Sequence, residues 1–146
     1  MRSGVVLLML QASIAVMAQQ TVDGIRIRPD PEKTRLVFDL SGPVEHRLFT
    51  LDKPARLVID INNTRLSETN LSAEIAKLSI AATPIAAIRF SPPSQENLRV
   101  VLDLKQEVKP RSFILKPIAQ YRDRLVIDLF TEDQQVEHPL QDADKS

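Results

Sequence analysis

Four segments of this 146-residue chain carry arginine, valine and aspartate at alternate positions: Arg35-Val37-Asp39, Arg56-Val58-Asp60, Arg99-Val101-Asp103 and Arg124-Val126-Asp128. Residues two apart share a face of an extended strand, so each segment would present a guanidinium and a carboxylate on the same side. Two chemistries are open to such a face. Guanidinium groups carry several fixed donors that suit sugar hydroxyls, acetamido carbonyls and peptide carboxylates. Alternatively, arginine and aspartate on neighbouring strands neutralise each other and fix the register, at roughly 0.2–1 kcal/mol per pair. Fourfold repetition favours the second use for the aspartates. Arg35, Arg56, Arg99 and Arg124 remain binding candidates. Arg47 and Arg111 lead the set, because they recur at equivalent positions near turns and stand outside the arginine-aspartate pattern. Each is followed two residues later by a phenylalanine, Phe49 and Phe113, expected to pack in the core while the arginines reach the rim from the same side.

Covalent and metal chemistry find little purchase. His46 and His138 are the only histidines, one in a candidate strand and one in a polar tail, and they read as a surface and a tail residue rather than a zinc pair. There is no HExxH, no GxSxG and no glycine-rich phosphate loop, so no catalytic residue, metal or cofactor is expected. Cysteine is absent, and 19 basic residues balance 19 acidic ones, which removes the electrostatic case for nucleic acid.

The elements that must carry the arginines form a repeat. Arg35–Leu51 aligns without a gap on Arg99–Leu115 with eight identical residues, and Arg56–Ile61 matches Arg124–Leu129. Upstream, Val22–Ile27 matches Ile85–Phe90. Two units, 22–61 and 85–129, are too few for an open solenoid and read as halves of one domain. Each half offers four strands, at 22–28, 34–40, 46–51 and 56–61, then 85–90, 98–104, 111–115 and 124–129, with breaks at proline and Gly42. Leu36, Phe38 and Leu40 share one face, as do Leu57, Ile59 and Ile61, then Val100, Leu102 and Leu104, then Leu125, Ile127 and Leu129. Apolar faces of this kind need a partner, so the expected fold is all-β: a β-sandwich of two pseudo-symmetric four-stranded sheets, one from each half, packed apolar side inward. A partly closed barrel is the alternative. Between the halves, Leu66–Ile80 reads either as a short connecting helix carrying Leu71, Ile75 and Leu78, or as an irregular loop.

The first eighteen residues resemble an export signal: Arg2, an apolar run from Val5 to Met17, and Val16-Met17-Ala18 before a cut. The run is too short for a comfortable membrane span, and cleavage after Ala18 would leave none. The expected organisation is a signal peptide over 1–18, one domain over 19–130, and a linker or tail over 131–146.

Taken in order, Thr34–Leu40, Phe49–Ile61, Leu98–Leu104, Val108–Leu115 and Arg124–Phe130 resemble the AMIN domain, as found in the N-terminal region of periplasmic N-acetylmuramoyl-L-alanine amidases of the AmiC type. The resemblance covers about residues 20 to 130. It implies two symmetry-related sheets, peptidoglycan as the ligand, and a periplasmic location at the division septum. It also implies a noncatalytic targeting module, since the zinc-dependent domain of such amidases has no counterpart within these residues. The chain would then be part of an amidase or a standalone AMIN protein. Related domains in type IV pilus secretins imply a second use, as an envelope adaptor holding a septal or pilus protein through a strand edge.

Overall fold

The computed structural model describes residues 18–67, 77–92 and 95–132, together with Gly4 and Ile75. Most of the expected signal segment, residues 68–74 and 76 of the candidate connecting helix, and the tail beyond Glu132 lie outside these residues. Nine strands follow in chain order: β1 (Gln20–Pro29), β2 (Thr34–Leu40), β3 (His46–Leu51), β4 (Arg56–Ile61), β5 (Thr64–Leu66), β6 (Ile85–Phe90), β7 (Leu98–Leu104), β8 (Lys109–Leu115) and β9 (Arg124–Phe130). They form two sheets, one ordered β5-β1-β2-β9-β8 and the other β3-β4-β7-β6.

This is the expected β-sandwich, with two differences. The first sheet gains β5, a three-residue strand that runs parallel to β1 at its outer edge. More importantly, the halves do not each make a sheet. Each half supplies two antiparallel hairpins, and sends one to each layer: β1-β2 joins β8-β9, while β3-β4 joins β6-β7.

The joining seams explain the arrangement. An Arg-x-Val-x-Asp strand is self-complementary in antiparallel register, because reversal sets arginine opposite aspartate and valine opposite valine. At the β2-β9 seam Arg35 faces Asp128, Val37 faces Val126 and Asp39 faces Arg124. At the β4-β7 seam Arg56 faces Asp103, Val58 faces Val101 and Asp60 faces Arg99. The two seams correspond under a pseudo-twofold that carries β1 to β6, β2 to β7, β3 to β8 and β4 to β9.

Between the layers lie the residues that alternate with this motif. Leu36, Phe38, Leu57, Ile59, Val100, Leu102, Leu125 and Ile127 are all fully buried in one cluster, and Ile75, Leu78 and Ile80 pack against it from the connection between the halves. Removing this apolar area from water is the dominant stabilising term in a cysteine-free fold. No described helix is long and apolar enough to cross a membrane.

Candidate functional site

Because the core consumes every second residue, the candidate arginines emerge on the two outward faces of the sandwich. Two of the six are forked onto aspartates. Arg35 grips Asp128 through Nε and Nη2 at 2.7 and 2.9 Å, and Arg99 grips Asp60 at 2.7 and 2.8 Å, the two contacts being equivalent under the pseudo-twofold. Asp128 is buried, and the fork supplies a hydrogen bond to each of its carboxylate oxygens. The Arg99 hydrogen bonds, reinforced by Arg47, hold the Asp60 carboxyl below the usual carboxylate range.

Asp39 and Asp103 find partners that lie outside the Arg-x-Val-x-Asp pattern. Arg26 of β1 holds Asp39 at 3.1 and 2.8 Å, and Arg89 of β6 holds Asp103 at 2.8 Å through each nitrogen. Their signal was the aligned pair Ile25-Arg26-Ile27 and Ile88-Arg89-Phe90, visible as a repeat but only interpretable once β1 and β6 flank the central strands. Of the remaining candidates, Arg56 bonds the Pro54 carbonyl at 3.2 Å, and Arg124 lies 4.6 Å over the Tyr121 ring with its Nε buried and without a hydrogen-bond partner.

Arg47 and Arg111 sit at equivalent places on the edge strands β3 and β8, one on each face. Arg47 is 72% exposed in its side chain and touches Asp60 only at 3.4 Å. Arg111 is exposed, with its guanidinium 5.8 Å over the Phe130 ring. The structure therefore divides the six candidates between the two faces: Arg35 and Arg111 flank Asp128 with Arg124 at the opposite end of β9, and Arg47 and Arg99 flank Asp60 with Arg56 at the opposite end of β4.

The phenylalanines correct an expectation. Phe49 and Phe113 are not core residues. They share the outward side with the arginines, as the alternation requires, because His46 and Leu48 on β3 and Ser112 and Ile114 on β8 take the inward positions. Phe113 is 38% exposed and stands opposite Val126, while Phe49 stands opposite Val58. Arg35 lies 5.5 Å over Phe113 and Arg99 lies 5.8 Å over Phe49, distances suited to cation–π contact. Rings and guanidinium groups thus roof three of the four outward valines, and Val101 is half-buried. Val37, Val58 and Val126 are buried although they point away from the core.

His46 is also displaced from its expected surface role. It is half-buried, with Nε2 2.8 Å from Ser112 Oγ, and burial pushes its pKa below the ordinary value. Among the described residues no group of three or more histidine, cysteine, aspartate or glutamate side chains is placed to hold a metal ion.

Comparison with known proteins matches residues 24–129 to the AMIN domain family model. The chain belongs to the AMIN domain family. This AMIN chain is 31% identical over 131 residues to the N-acetylmuramoyl-L-alanine amidase AmiC of Escherichia coli O6:H1 (strain CFT073), a match covering 89% of this chain and 31% of that protein. It is 33% identical over 115 residues to the enzyme of the same name from Neisseria meningitidis serogroup B (strain MC58), covering 79% of this chain and 27% of the relative. The matched region thus spans about a third of the length of these curated relatives.

Proposed function

We propose that this AMIN domain is a noncatalytic peptidoglycan-binding module that presents its two outer faces to the cell wall in the periplasm. The observation that carries the reading is the roofing of the outward valines. An uncovered valine stripe would favour a protein interface. Here the outer faces carry guanidinium groups and ring faces over the valines, which suit the hydroxyls, acetamido groups and carboxylates of a glycopeptide. The name of the relatives supports the same ligand, because N-acetylmuramoyl-L-alanine is a linkage of peptidoglycan. In this reading the domain brings an associated cell-wall amidase activity to its substrate, at the division septum.

Arg47 and Arg111 are the first residues to test, with Arg35, Arg56, Arg99 and Arg124 behind them because those four are engaged within the fold. The experiment is co-sedimentation of the full chain with purified peptidoglycan sacculi at physiological salt, comparing wild type with R47A, R111A and H46A after circular dichroism confirms each fold. Wild type should sediment, and the two arginine variants should sediment less. Failure of wild type to sediment above a denatured control would sink the reading. Loss of binding in H46A alone would move the ligand to the sandwich edge.

A further inference from the structure

The pseudo-twofold permits the faces to be compared position by position, and at one end they differ in charge. On the first sheet the register sets Arg28, Arg35, Asp128 and Arg111 side by side across β1, β2, β9 and β8. The corresponding row on the second sheet is Ser91, Arg99, Asp60 and Arg47, in which Ser91 donates its backbone N–H to the Arg99 carbonyl at 2.9 Å. One row holds three arginines to one aspartate, and the other holds two to one.

The surplus is available to a ligand. Asp128 is satisfied by the Arg35 fork, and the nearby Asp30 carboxylate accepts the backbone N–H groups of Glu32 and Lys33 at 2.8 and 2.9 Å. Arg28 and Arg111 are exposed, and neither has a carboxylate at ion-pair distance among the described residues. Lys109, exposed on β8 and opposite Phe130, adds a cation beside Arg111. Neighbouring strands lie about 4.8 Å apart, so the two cations Arg28 and Arg111, three strand spacings apart, are anchored about 14 Å from each other with Arg35 and Asp128 between them. Separated cations on a rigid sheet can engage two carboxylates of one short peptide through charge-assisted hydrogen bonds.

We propose that the Arg28-Arg35-Asp128-Arg111 row is a carboxylate-binding site, and that it receives the acidic peptide stems of the wall. The assignment of stems rests on the peptidoglycan reading above. The site itself rests on the geometry of the row.

Two probes separate these claims. Native sacculi and sacculi whose carboxyl groups have been chemically amidated are offered to wild type, Arg28→Ser, Arg28→Lys and Arg111→Ala, each with a wild-type-like thermal melt. Wild type should favour native over amidated sacculi about tenfold, the size expected from losing a charge-assisted hydrogen bond. Arg28→Ser and Arg111→Ala should lose most of that preference, and Arg28→Lys should keep much of it. Equal binding of wild type to both sacculi, or full preference in Arg28→Ser and Arg111→Ala, overturns the proposal. If wild type binds neither sacculus, the peptidoglycan reading fails and the site is judged on the soluble tripeptide L-alanyl-γ-D-glutamyl-diaminopimelate by NMR titration. Amide shifts gathered on β1, β2 and β8, absent with the amidated tripeptide, uphold the carboxylate site. Absence of such shifts with the acidic tripeptide overturns it.

Discussion

His46 Nε2 of β3 lies 2.8 Å from Ser112 Oγ of β8, so a single side-chain hydrogen bond ties the edge of one sheet to the edge of the other. Both residues point inward from strands that close the same side of the sandwich. Burial disfavours the imidazolium and holds the His46 pKa below its ordinary value of 6.5. With a depressed folded-state pKa, the unfolded chain binds the extra proton first as pH falls, so the stabilisation present above about pH 6.5 is lost on acidification. Thermal melting should therefore show Tm falling between about pH 7 and pH 5 in wild type, and falling less in His46→Gln. A wild-type Tm that is flat across this interval would mean that folding leaves the imidazole unperturbed.

A second acid limb should lie lower. Asp60 and Asp103 are held below the ordinary aspartate value of 3.8, first by hydrogen bonds from Arg99 and Arg89 respectively. Their contribution is present above pH 3.8 and disappears as pH falls further, and high salt should shrink it because both pairs are solvent-accessible. Melting curves below pH 4 at low and high ionic strength check this.

Arg35 and Arg47 both meet an aspartate, yet their removal should have unequal cost. Arg35→Ala strips the fork from a buried carboxylate, and the expected loss is about 1–3 kcal/mol. Arg47→Ala removes a well-exposed contact at 3.4 Å, and should change stability by no more than about 0.5 kcal/mol. Urea unfolding of the two variants gives the comparison. Equal destabilisation would contradict the assigned roles.

Phe38 and Phe113 provide the corresponding test of the faces. Phe38 is fully buried, and Phe38→Ala should cost about 3–5 kcal/mol through lost burial and a cavity. Phe38→Asp should prevent folding by burying an unpaired carboxylate. Phe113→Ala removes only a part-exposed ring and its contact with Arg35, for about 1 kcal/mol. A Phe113→Ala variant as damaged as Phe38→Ala would return that ring to the core.

Alternation made the inner face legible from the sequence: Leu36, Phe38, Leu57, Ile59 and their counterparts are where a period of two puts them. The same alternation puts Phe49 and Phe113 outside beside Arg47 and Arg111, against the inward placement that ring hydrophobicity alone suggests. Strand partnership was not legible. A motif that pairs with any antiparallel copy of itself allows β2 to join β4, β7 or β9, and only the three-dimensional closure selects β9. The arginine pairings followed from that choice. Hence the partners of Asp39 and Asp103 come from β1 and β6, and the Arg28-for-Ser91 difference that the repeat already contains acquires its neighbours Arg35 and Arg99 only from the strand order.

The exchange of hairpins between layers gives the halves a mutual dependence. Severed from the other, either half would hold two ribbons whose greasy sides face different layers, each lacking the neighbour that completes its sheet. Two identical copies of one half could close the same sandwich only as an intertwined dimer, each lending a hairpin to the other's sheet. The present chain performs this interlocking within a single molecule, and the connection between its halves replaces a subunit encounter with a tether.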